Sequence, residues 1–272
     1  MPFEAYKIYE EYEPDKYKTS TQKKVEQALN SAKKEGLVPE GKEASIEFEE
    51  AREIFGKDFL GPEAAEATFG VELSQDEIEQ IEEIPFSREE LEQAKQLGMM
   101  LVLRVPRIGK DKNAKSFSIN SVREAFKDDD KLGDPKKKKS NIFYDQDWYD
   151  NESFAAQDTP SLGWGLVMKE VLQESRSKNW DEQEEVLKAW AKENNIDPSK
   201  VRRRKPVEII YDTLLYYGTN KESLLENSYD WTGVQSSDGH FVFVGVFASA
   251  GLLVLSDTRD RTVSILGVCP SR

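Results

Sequence analysis

The segment from Tyr229 to Arg272 constrains the fold more than any other part of this chain of 272 residues. It is the longest apolar stretch, it is interrupted by glycines, and it stands in a chain that is 33% charged. Residues 241–256 hold no charged side chain. A membrane helix needs about 20 apolar residues, and this run is shorter and alternates as strands do. We therefore predict a buried sheet here and no membrane partner.

Turn chemistry divides this segment into strands. Asp238-Gly239 between two runs predicts a hairpin with a type I′ turn, in which both central residues have positive φ. The next strand alternates phenylalanines with valines, so both of its faces are apolar (Phe241, Phe243 and Phe247; Val242, Val244 and Val246). Gly245 interrupts this row and indicates a bulge or a close backbone approach. With further strands at 252–255 and 262–269, the segment predicts a small antiparallel sheet.

Helix signals dominate the rest of the chain. Ser74 and Ser87 each begin a capping-box pattern. Residues 99–105, MMLVLRV, are a short apolar run ended by a proline and predict a buried strand. The helix predicted from Pro206 to a stop at Gly218 is apolar around most of its circumference, so we expect it to lie at the centre of the core. Helices and strands in this order predict an α+β fold.

Composition shifts divide the chain into three parts. Residues 1–42 are predicted to form a loose arm and a helix, followed by an acidic helical unit at 43–85. Residues 86–272 form the predicted α+β domain. The boundary at residue 86 is placed where the predicted pattern changes from short helices to a helix followed by a strand.

The net charge of −14 is concentrated in one block. Residues 43–92 hold 17 Asp and Glu against 3 Lys and Arg, and the rest of the chain is balanced. Such a field repels phosphate backbones, so we expect no nucleic-acid partner. The block has two interpretations: a solvated face of surface helices, or an acidic surface that docks a basic partner.

The residue types that catalysis requires are scarce. His240 is the only histidine and Cys269 the only cysteine, which excludes an intramolecular disulfide and a four-cysteine zinc site. The sequence has no nucleophile elbow, and it lacks phosphate-binding and dinucleotide-binding loops. We therefore predict no enzyme activity, no cofactor and no metal. The start of the chain lacks the pattern of a signal peptide, and together with the single cysteine this predicts a cytoplasmic location.

One cluster of carboxylates has two interpretations. Asp145, Asp147, Asp150 and Glu152 lie within eight residues. Oxygen ligands of this kind suit a hard cation such as calcium. The alternative is a loop whose charges are solvated.

Several short motifs resemble the end of C-type-lectin-fold proteins. They are Trp231-Thr232, the SSDG turn at 236–239, V-x-V-G-x-F at 242–247, a loop with Arg259 and Arg261, and LGVCPSR at 266–272. The resemblance is greatest to the formylglycine-generating-enzyme-like group and covers about residues 86–272. Many targets of diversity-generating retroelements use this fold and carry variable ligand-contacting residues in such a C-terminal segment.

Departures from the family limit what the resemblance implies. The R-G-G-S-W motif is absent, and Val268-Cys269 stands where the group has Phe-Arg. One cysteine cannot supply the catalytic cysteines of formylglycine-generating enzymes, and the Glu-Pro-Asn and Trp-Asn-Asp calcium motifs of lectins are missing. Neither copper-dependent oxidation nor calcium-dependent sugar binding carries over. What the resemblance implies is a scaffold that presents a surface.

We therefore predict a non-enzymatic module that binds a protein or small ligand through a C-terminal, diversified recognition surface. Its aromatic residues have an alternative role, which is to complete the core. An alternative function is that of an intracellular interaction or scaffold protein docking through the acidic helices of 43–92. The predicted ligand-binding residues are Trp231, His240, Phe241, Phe243, Asp257 and Arg259.

Overall fold

The computed structural model of the chain describes residues 47–127, 142–248 and 251–272. The arm and helix predicted for residues 1–42 lie outside this part of the chain. Within it the protein is a mixture of helices and small sheets, so the predicted α+β class is confirmed. No helix in the described ranges is both long and apolar enough to cross a membrane.

The described helices begin and end close to the positions that their sequence signals predict. In both capping boxes the serine hydroxyl accepts from the backbone N–H three residues later, and the glutamate at that position accepts from the serine N–H. The α-helices are α1 (Phe48–Phe55), α2 (Pro62–Phe69), α3 (Gln75–Ile81), α4 (Arg88–Gln96), α5 (Ile119–Ala125), α6 (Ser153–Ala156), α7 (Trp180–Glu193) and α8 (Pro206–Asn220).

The strands form three small sheets. Their order is β1-β2-β5 in the first sheet, β3-β4 in the second and β8-β7-β6-β9 in the third. The strands are β1 (Phe59–Leu60), β2 (Met99–Arg104), β3 (Arg107–Ile108), β4 (Lys115–Ser116), β5 (Gly163–Met168), β6 (Tyr229–Gln235), β7 (Phe241–Ala248), β8 (Gly251–Asp257) and β9 (Leu266–Gly267).

The acidic helical unit shares its core with the rest of the protein. Strand β1 belongs to the predicted 43–85 unit, yet it pairs in parallel with β2. Leu60 and Phe69 of this unit lie in the same hydrophobic cluster as Leu214 of α8 and Val244 of β7. The predicted boundary at residue 86 therefore passes between two strands of one sheet.

Helix α8 is the central packed helix that its composition predicts. Every residue from Pro206 to Tyr216 is buried, and the Tyr211 hydroxyl donates to the Leu103 carbonyl of β2 at 3.0 Å. The predicted stop at Gly218 is wrong, because the helix continues to Asn220 and ends where Lys221 takes a φ of 58°. An interior glycine costs a helix only about 1 kcal/mol relative to alanine, less than the packing of such a helix provides.

The predicted hairpin forms with a different turn. Strands β6 and β7 are antiparallel and joined by residues 236–240. Within this turn the Gly239 N–H donates to the Ser236 carbonyl, and the Ser236 N–H donates to the His240 carbonyl. Gly239 has a φ of 85°, whereas Asp238 has no positive φ. The loop is therefore longer than the two-residue type I′ turn, which requires positive φ at two positions.

The third strand predicted for this sheet is short and differently paired. Only Leu266–Gly267 is a strand, and it pairs in parallel with β6 instead of extending an antiparallel order. The chain then crosses to the first sheet. Leu166 and Arg272 exchange backbone hydrogen bonds of 3.1 and 2.8 Å, and Ser271 and Arg202 exchange bonds of 3.1 and 2.9 Å. Residues 266–272 therefore join the two larger sheets.

A bulge in β7 follows from a close backbone approach at Gly245, as predicted. A Cβ at this position would lie 2.1 Å from the Ser228 carbonyl oxygen, and the register with β8 shifts between Gly245 and Ala248. Val246 adopts a φ of 49°, a left-handed conformation that costs a β-branched residue on the order of 1–3 kcal/mol. Past the bulge, Phe247 packs into the core beside α8, with its ring 5.2 Å from Tyr217.

A buried chain of ion pairs connects these elements. It consists of Arg104 on β2, Asp212 on α8, Arg204 before α8 and Asp230 on β6, each at most 4% exposed. Arg104 donates to both oxygens of Asp212 at 2.9 and 2.7 Å. Arg204 donates to Asp212 at 2.9 Å and to Asp230 at 3.0 Å.

The backbone of the 266–272 segment completes this chain of ion pairs. The second oxygen of Asp230 accepts from the Cys269 N–H at 2.8 Å. Two guanidinium groups and two carboxylates balance in charge, and their hydrogen-bonding atoms face one another. Buried ion pairs of this kind hold elements in one arrangement, and removal of a partner leaves an uncompensated buried charge.

We expect Asp212→Asn to lower the free energy of unfolding by about 3–5 kcal/mol, because two buried arginines lose their shared counter-charge. Urea denaturation followed by tryptophan fluorescence measures the change. Asp181→Asn is the matched control: its side chain is 60% exposed and pairs with Arg259, so the change should stay below about 1 kcal/mol. Equal losses in the two variants would contradict the role of the buried network.

Glu208 extends the network toward the surface. Its carboxylate accepts two hydrogen bonds of 2.7 Å from Arg202 and one of 2.8 Å from the Lys205 N–H. Burial alone would raise its pKa, but the bonds from Arg202 and the charges of Arg104 and Arg202 lower the pKa from 4.5 to about 2. The ionised form is therefore favoured in the folded protein.

A lowered carboxyl pKa stabilises the fold above the unfolded pKa, and this stabilisation is lost as the pH falls toward the folded pKa. We expect Glu208 to contribute roughly 3 kcal/mol that disappears between pH 4.5 and 2. Unfolding free energies measured at several pH values in this window should fall less steeply in Glu208→Gln. The exposed Glu185→Gln should retain the wild-type slope, and identical slopes in all three proteins would refute the assignment.

Candidate functional site

The C-terminal sheet turns one face toward α8 and the other face away from it. Val242, Val244 and Leu252 belong to the inward face and share the core with α8. We call the opposite face the outer face. Its packed side chains are Tyr229, Trp231, Phe241, Phe243 and Leu266, with Val246, Leu253, Leu255 and Val263 partly buried against them.

Three of the predicted ligand-binding residues belong to the buried layer of this outer face. Trp231, Phe241 and Phe243 are 0%, 9% and 7% exposed. Their rings form a layer of edge-on contacts, with Phe243 at 5.2 Å from Tyr229 and 6.3 Å from Trp231. Side chains this buried cannot contact a ligand unless the layer opens. They complete the core and support the surface above them.

Trp180 covers one edge of the aromatic layer. It begins α7, and its ring lies 4.9 Å from that of Phe241. The guanidinium groups of Arg203 and Arg259 stack on it at 4.5 and 5.0 Å. Its indole N–H donates to the Thr232 carbonyl at 2.9 Å. Arg259, a predicted ligand-binding residue, is therefore held beside the outer face with 54% of its side chain exposed.

The remaining predicted residues, Asp257 and His240, lie at the surface. Asp257 stands opposite Phe241 in the β7–β8 register and pairs with Arg261 at 3.2 Å. The His240 imidazole is 3.1 Å from the Asp238 carboxylate at the hairpin end. The Ser236 hydroxyl lies 2.6 Å from that carboxylate and 3.0 Å from the His240 carbonyl, and its single proton can be donated to either oxygen. This serine is therefore not paired with the imidazole as a nucleophile would be.

Four partly exposed side chains form an apolar strip on the outer face. They are Val246, Leu253, Leu255 and Val263, all packed on the aromatic layer below. Ile265, which precedes β9, is 43% exposed. Two ion pairs lie beside this region, Arg259 with Asp181 and Arg261 with Asp257. An apolar centre with charged groups beside it is the usual anatomy of a protein-binding surface.

The four carboxylates at 145–152 do not converge. Glu152 accepts hydrogen bonds from the Ser237 N–H and hydroxyl at 2.9 and 2.6 Å. Asp150 pairs with Arg123. Across 47–127, 142–248 and 251–272, no group of three or more His, Cys, Asp or Glu is placed to hold a metal ion. This arrangement agrees with the interpretation of these residues as loop charges. Two of the four, Asp150 and Glu152, form contacts that hold the loop in place.

Several carboxylates of the acidic block anchor it to the rest of the protein. Glu77 of α3 pairs with Arg107 of β3, and Glu90 of α4 pairs with Arg272. Asp58 is 4% exposed and accepts hydrogen bonds from Lys95, Lys169 and Tyr216. Others remain at the surface, among them Asp76, Glu79 and Glu83. The block therefore combines structural ion pairs with an exposed acidic face.

Sequence reasoning missed three residues that shape the outer face: Trp180, Arg203 and Val246. A signal for the buried charges did exist in the sequence. Glu208 and Asp212 stand four residues apart on an apolar helix, and residues 202–205 just before it are three arginines and a lysine. Charges on a buried helix need partners. Nothing in the sequence indicates which valine the bulge turns outward.

Comparison of the chain with protein-family models, with curated proteins and with solved structures found no match.

We expect Phe243→Ala to lower the free energy of unfolding by about 3–5 kcal/mol, because it removes a buried ring from the aromatic layer. Chemical denaturation measures the loss. His240→Ala is the control: it truncates a side chain that is 42% exposed, and it should change stability by no more than about 0.5 kcal/mol. A stable Phe243→Ala protein would show that the layer tolerates opening and would restore Phe243 as a contact residue.

Proposed function

We propose that this protein is a non-enzymatic binding module that contacts a protein or other ligand through the apolar strip of its outer face. The strip lies on a rigid support, because Trp231 and Phe243 below it are packed and the sheet is tied to α8 by buried ion pairs. Arg259 and Asp257 stand beside it at the surface. A rigid apolar centre costs little conformational entropy on binding.

The observation that carries this proposal is the backbone of Val246. Its φ of 49° is costly for a β-branched side chain, and it turns an apolar group toward the surface next to Leu253. Strained conformations of this kind are concentrated at functional sites. A purely structural bulge needs no valine at this position, since glycine would adopt the same φ without strain.

A second proposal is docking of a basic partner on the acidic helices. The exposed carboxylates Asp76, Glu79 and Glu83 lie on or next to α3, and this is the observation in its favour. Attraction between such a face and a basic partner would act mainly on the association rate and would weaken with salt. Binding through the apolar strip should depend much less on salt.

The resemblance to C-type-lectin-fold proteins, with a diversified C-terminal segment, also remains a proposal. It is supported by the mixed α+β architecture and by the origin of the outer face, most of which comes from residues 229–266. A cytoplasmic location is proposed with it, in keeping with a free, buried Cys269. Sequencing around the gene tests the retroelement proposal: a reverse transcriptase gene and a near-copy of the coding sequence for this segment should lie nearby.

We expect Val246→Gly to raise stability and weaken binding together. Glycine removes the strain at φ 49°, which should add on the order of 1 kcal/mol to the free energy of unfolding. The same change removes an apolar contact from the strip. Thermal unfolding measures the first effect. The second is measured by affinity capture from cells of the source organism, with titration of the purified captured protein.

Two surface variants separate the proposed functions. Leu255→Glu places a charge in the strip and should reduce capture of the same protein at least tenfold. Glu79→Lys with Glu83→Lys reverses the charge on the acidic face and should leave capture unchanged if the strip is the binding site. The reverse result would support docking through the acidic helices. Full binding by Val246→Gly and Leu255→Glu would refute the strip as a contact surface.

A further inference from the structure

The turn between β6 and β7 contains a pair of residues that can react with each other. Asp238 and Gly239 form the only Asp-Gly pair in the sequence, which has no Asn-Gly pair. The backbone nitrogen that follows an aspartate can attack the carboxyl carbon of its side chain and close a five-membered succinimide ring. A glycine leaves that nitrogen open to the approach, because it has no Cβ. The Asp238 side chain is 61% exposed, so water can reach the reacting carbon.

The reaction loses one water and then gains one, and it needs no other reagent. The Gly239 nitrogen bonds to Cγ of Asp238, and the OH of the protonated carboxyl group leaves with the amide proton as water. Water then opens the ring at either of its two carbonyl groups. Opening at Cγ restores aspartate. Opening at the main-chain carbonyl gives isoaspartate, in which the backbone runs through Cγ and is one atom longer.

One serine holds both reacting groups in the folded turn. The Gly239 N–H donates to the Ser236 carbonyl at 2.9 Å. The Ser236 hydroxyl lies 2.6 Å from Oδ1 of Asp238, which also accepts from the His240 N–H at 3.1 Å. The carboxylate is the nearer acceptor of this hydroxyl and the charged one, and short bonds from hydroxyl to carboxylate are among the stronger hydrogen bonds.

The same contacts keep the carboxyl group in its unreactive form. The hydrogen bond from Ser236 is the main cause that lowers the pKa of Asp238, followed by the bond from the His240 N–H. Only the protonated acid can lose its OH as water, so a lowered pKa reduces the reactive fraction. Ser236 itself is 6% exposed, and its N–H donates to the His240 carbonyl at 2.8 Å. A buried, fixed serine therefore lies beneath an exposed aspartate.

We propose that Asp238-Gly239 is a site of isoaspartate formation in this protein and that Ser236 slows the reaction in the folded state. The added backbone atom falls within residues 236–240, and both hydrogen bonds that close the turn span this stretch. The neighbouring Ser237 bonds Glu152 through its N–H and its hydroxyl, so the rearrangement also acts on the contact with the 145–152 loop. This site shares no residue with the apolar strip, so either proposal can fail alone.

The first test compares the folded wild-type protein with a synthetic peptide of residues 235–241 at neutral pH. Isoaspartate is quantified over time by proteolysis and mass spectrometry with electron-transfer fragmentation. We expect the protein to form it at least tenfold more slowly than the peptide, because only the folded turn holds both reacting groups. Gly239→Ala in the peptide should slow the reaction at least tenfold, since the Cβ hinders the nitrogen. That result identifies the succinimide route.

Matched variants of the full chain assign the protection to one hydroxyl group. Ser236→Ala keeps the backbone carbonyl and removes the hydroxyl, so it should raise the rate of isoaspartate formation at least threefold. Ser236→Thr retains a hydroxyl and should keep the rate low. Ser237→Ala is the control and should react as the wild type does, because its hydroxyl bonds Glu152 and not Asp238.

Three outcomes would overturn the proposal. The first is a folded wild-type protein that forms isoaspartate as fast as the peptide. The second is equal acceleration by Ser236→Ala and Ser237→Ala, which would show a general loosening of the turn. The third is a peptide that forms no isoaspartate. The comparison of wild-type protein with peptide does not depend on the folding of any variant.

Discussion

The structure depends on the buried ion pairs that run from Arg104 through Asp212 and Arg204 to Asp230. They connect β2, α8 and β6, and Asp230 also accepts a hydrogen bond from the Cys269 N–H. Apolar contacts between the small sheets and α8 are not directional. Hydrogen-bonded charges are directional. Their desolvation is costly, so only one arrangement of these elements satisfies all of them.

That constraint explains why the outer face can carry a strained residue. The sheet is anchored on its inner side by α8 and at β6 by Asp230, and the close approach of Gly245 to Ser228 is imposed by this packing. Val246 absorbs the resulting change of direction at a φ of 49°. Strain on the order of 1–3 kcal/mol persists only where the surroundings over-determine the backbone. The same packing that stabilises the fold therefore presents a valine at the surface.

Charge is used in two different ways in this protein. In the acidic block, Glu77 and Glu90 fasten short helices to Arg107 and Arg272, so part of a large negative charge is structural. In the loop after residue 142, Asp145 and Asp147 are exposed. The amino-acid composition does not distinguish these two groups of carboxylates. Only the tertiary structure separates the carboxylates that pair with a base from those that remain exposed to solvent.

The sequence by itself determined the local structure. Capping boxes and the hairpin after Gln235 depend on contacts within a few residues, and the apolar character of β2 and α8 can be read directly from their composition. The tertiary structure alone decided which faces are exposed. Alternation places Phe247 with Phe241 and Phe243, but the bulge sends it into the core. The same holds for Trp231, because the sequence does not show whether an aromatic strand residue is packed against other side chains, as Trp231 is against Phe243, or exposed to water. Burial is set by elements distant in the chain.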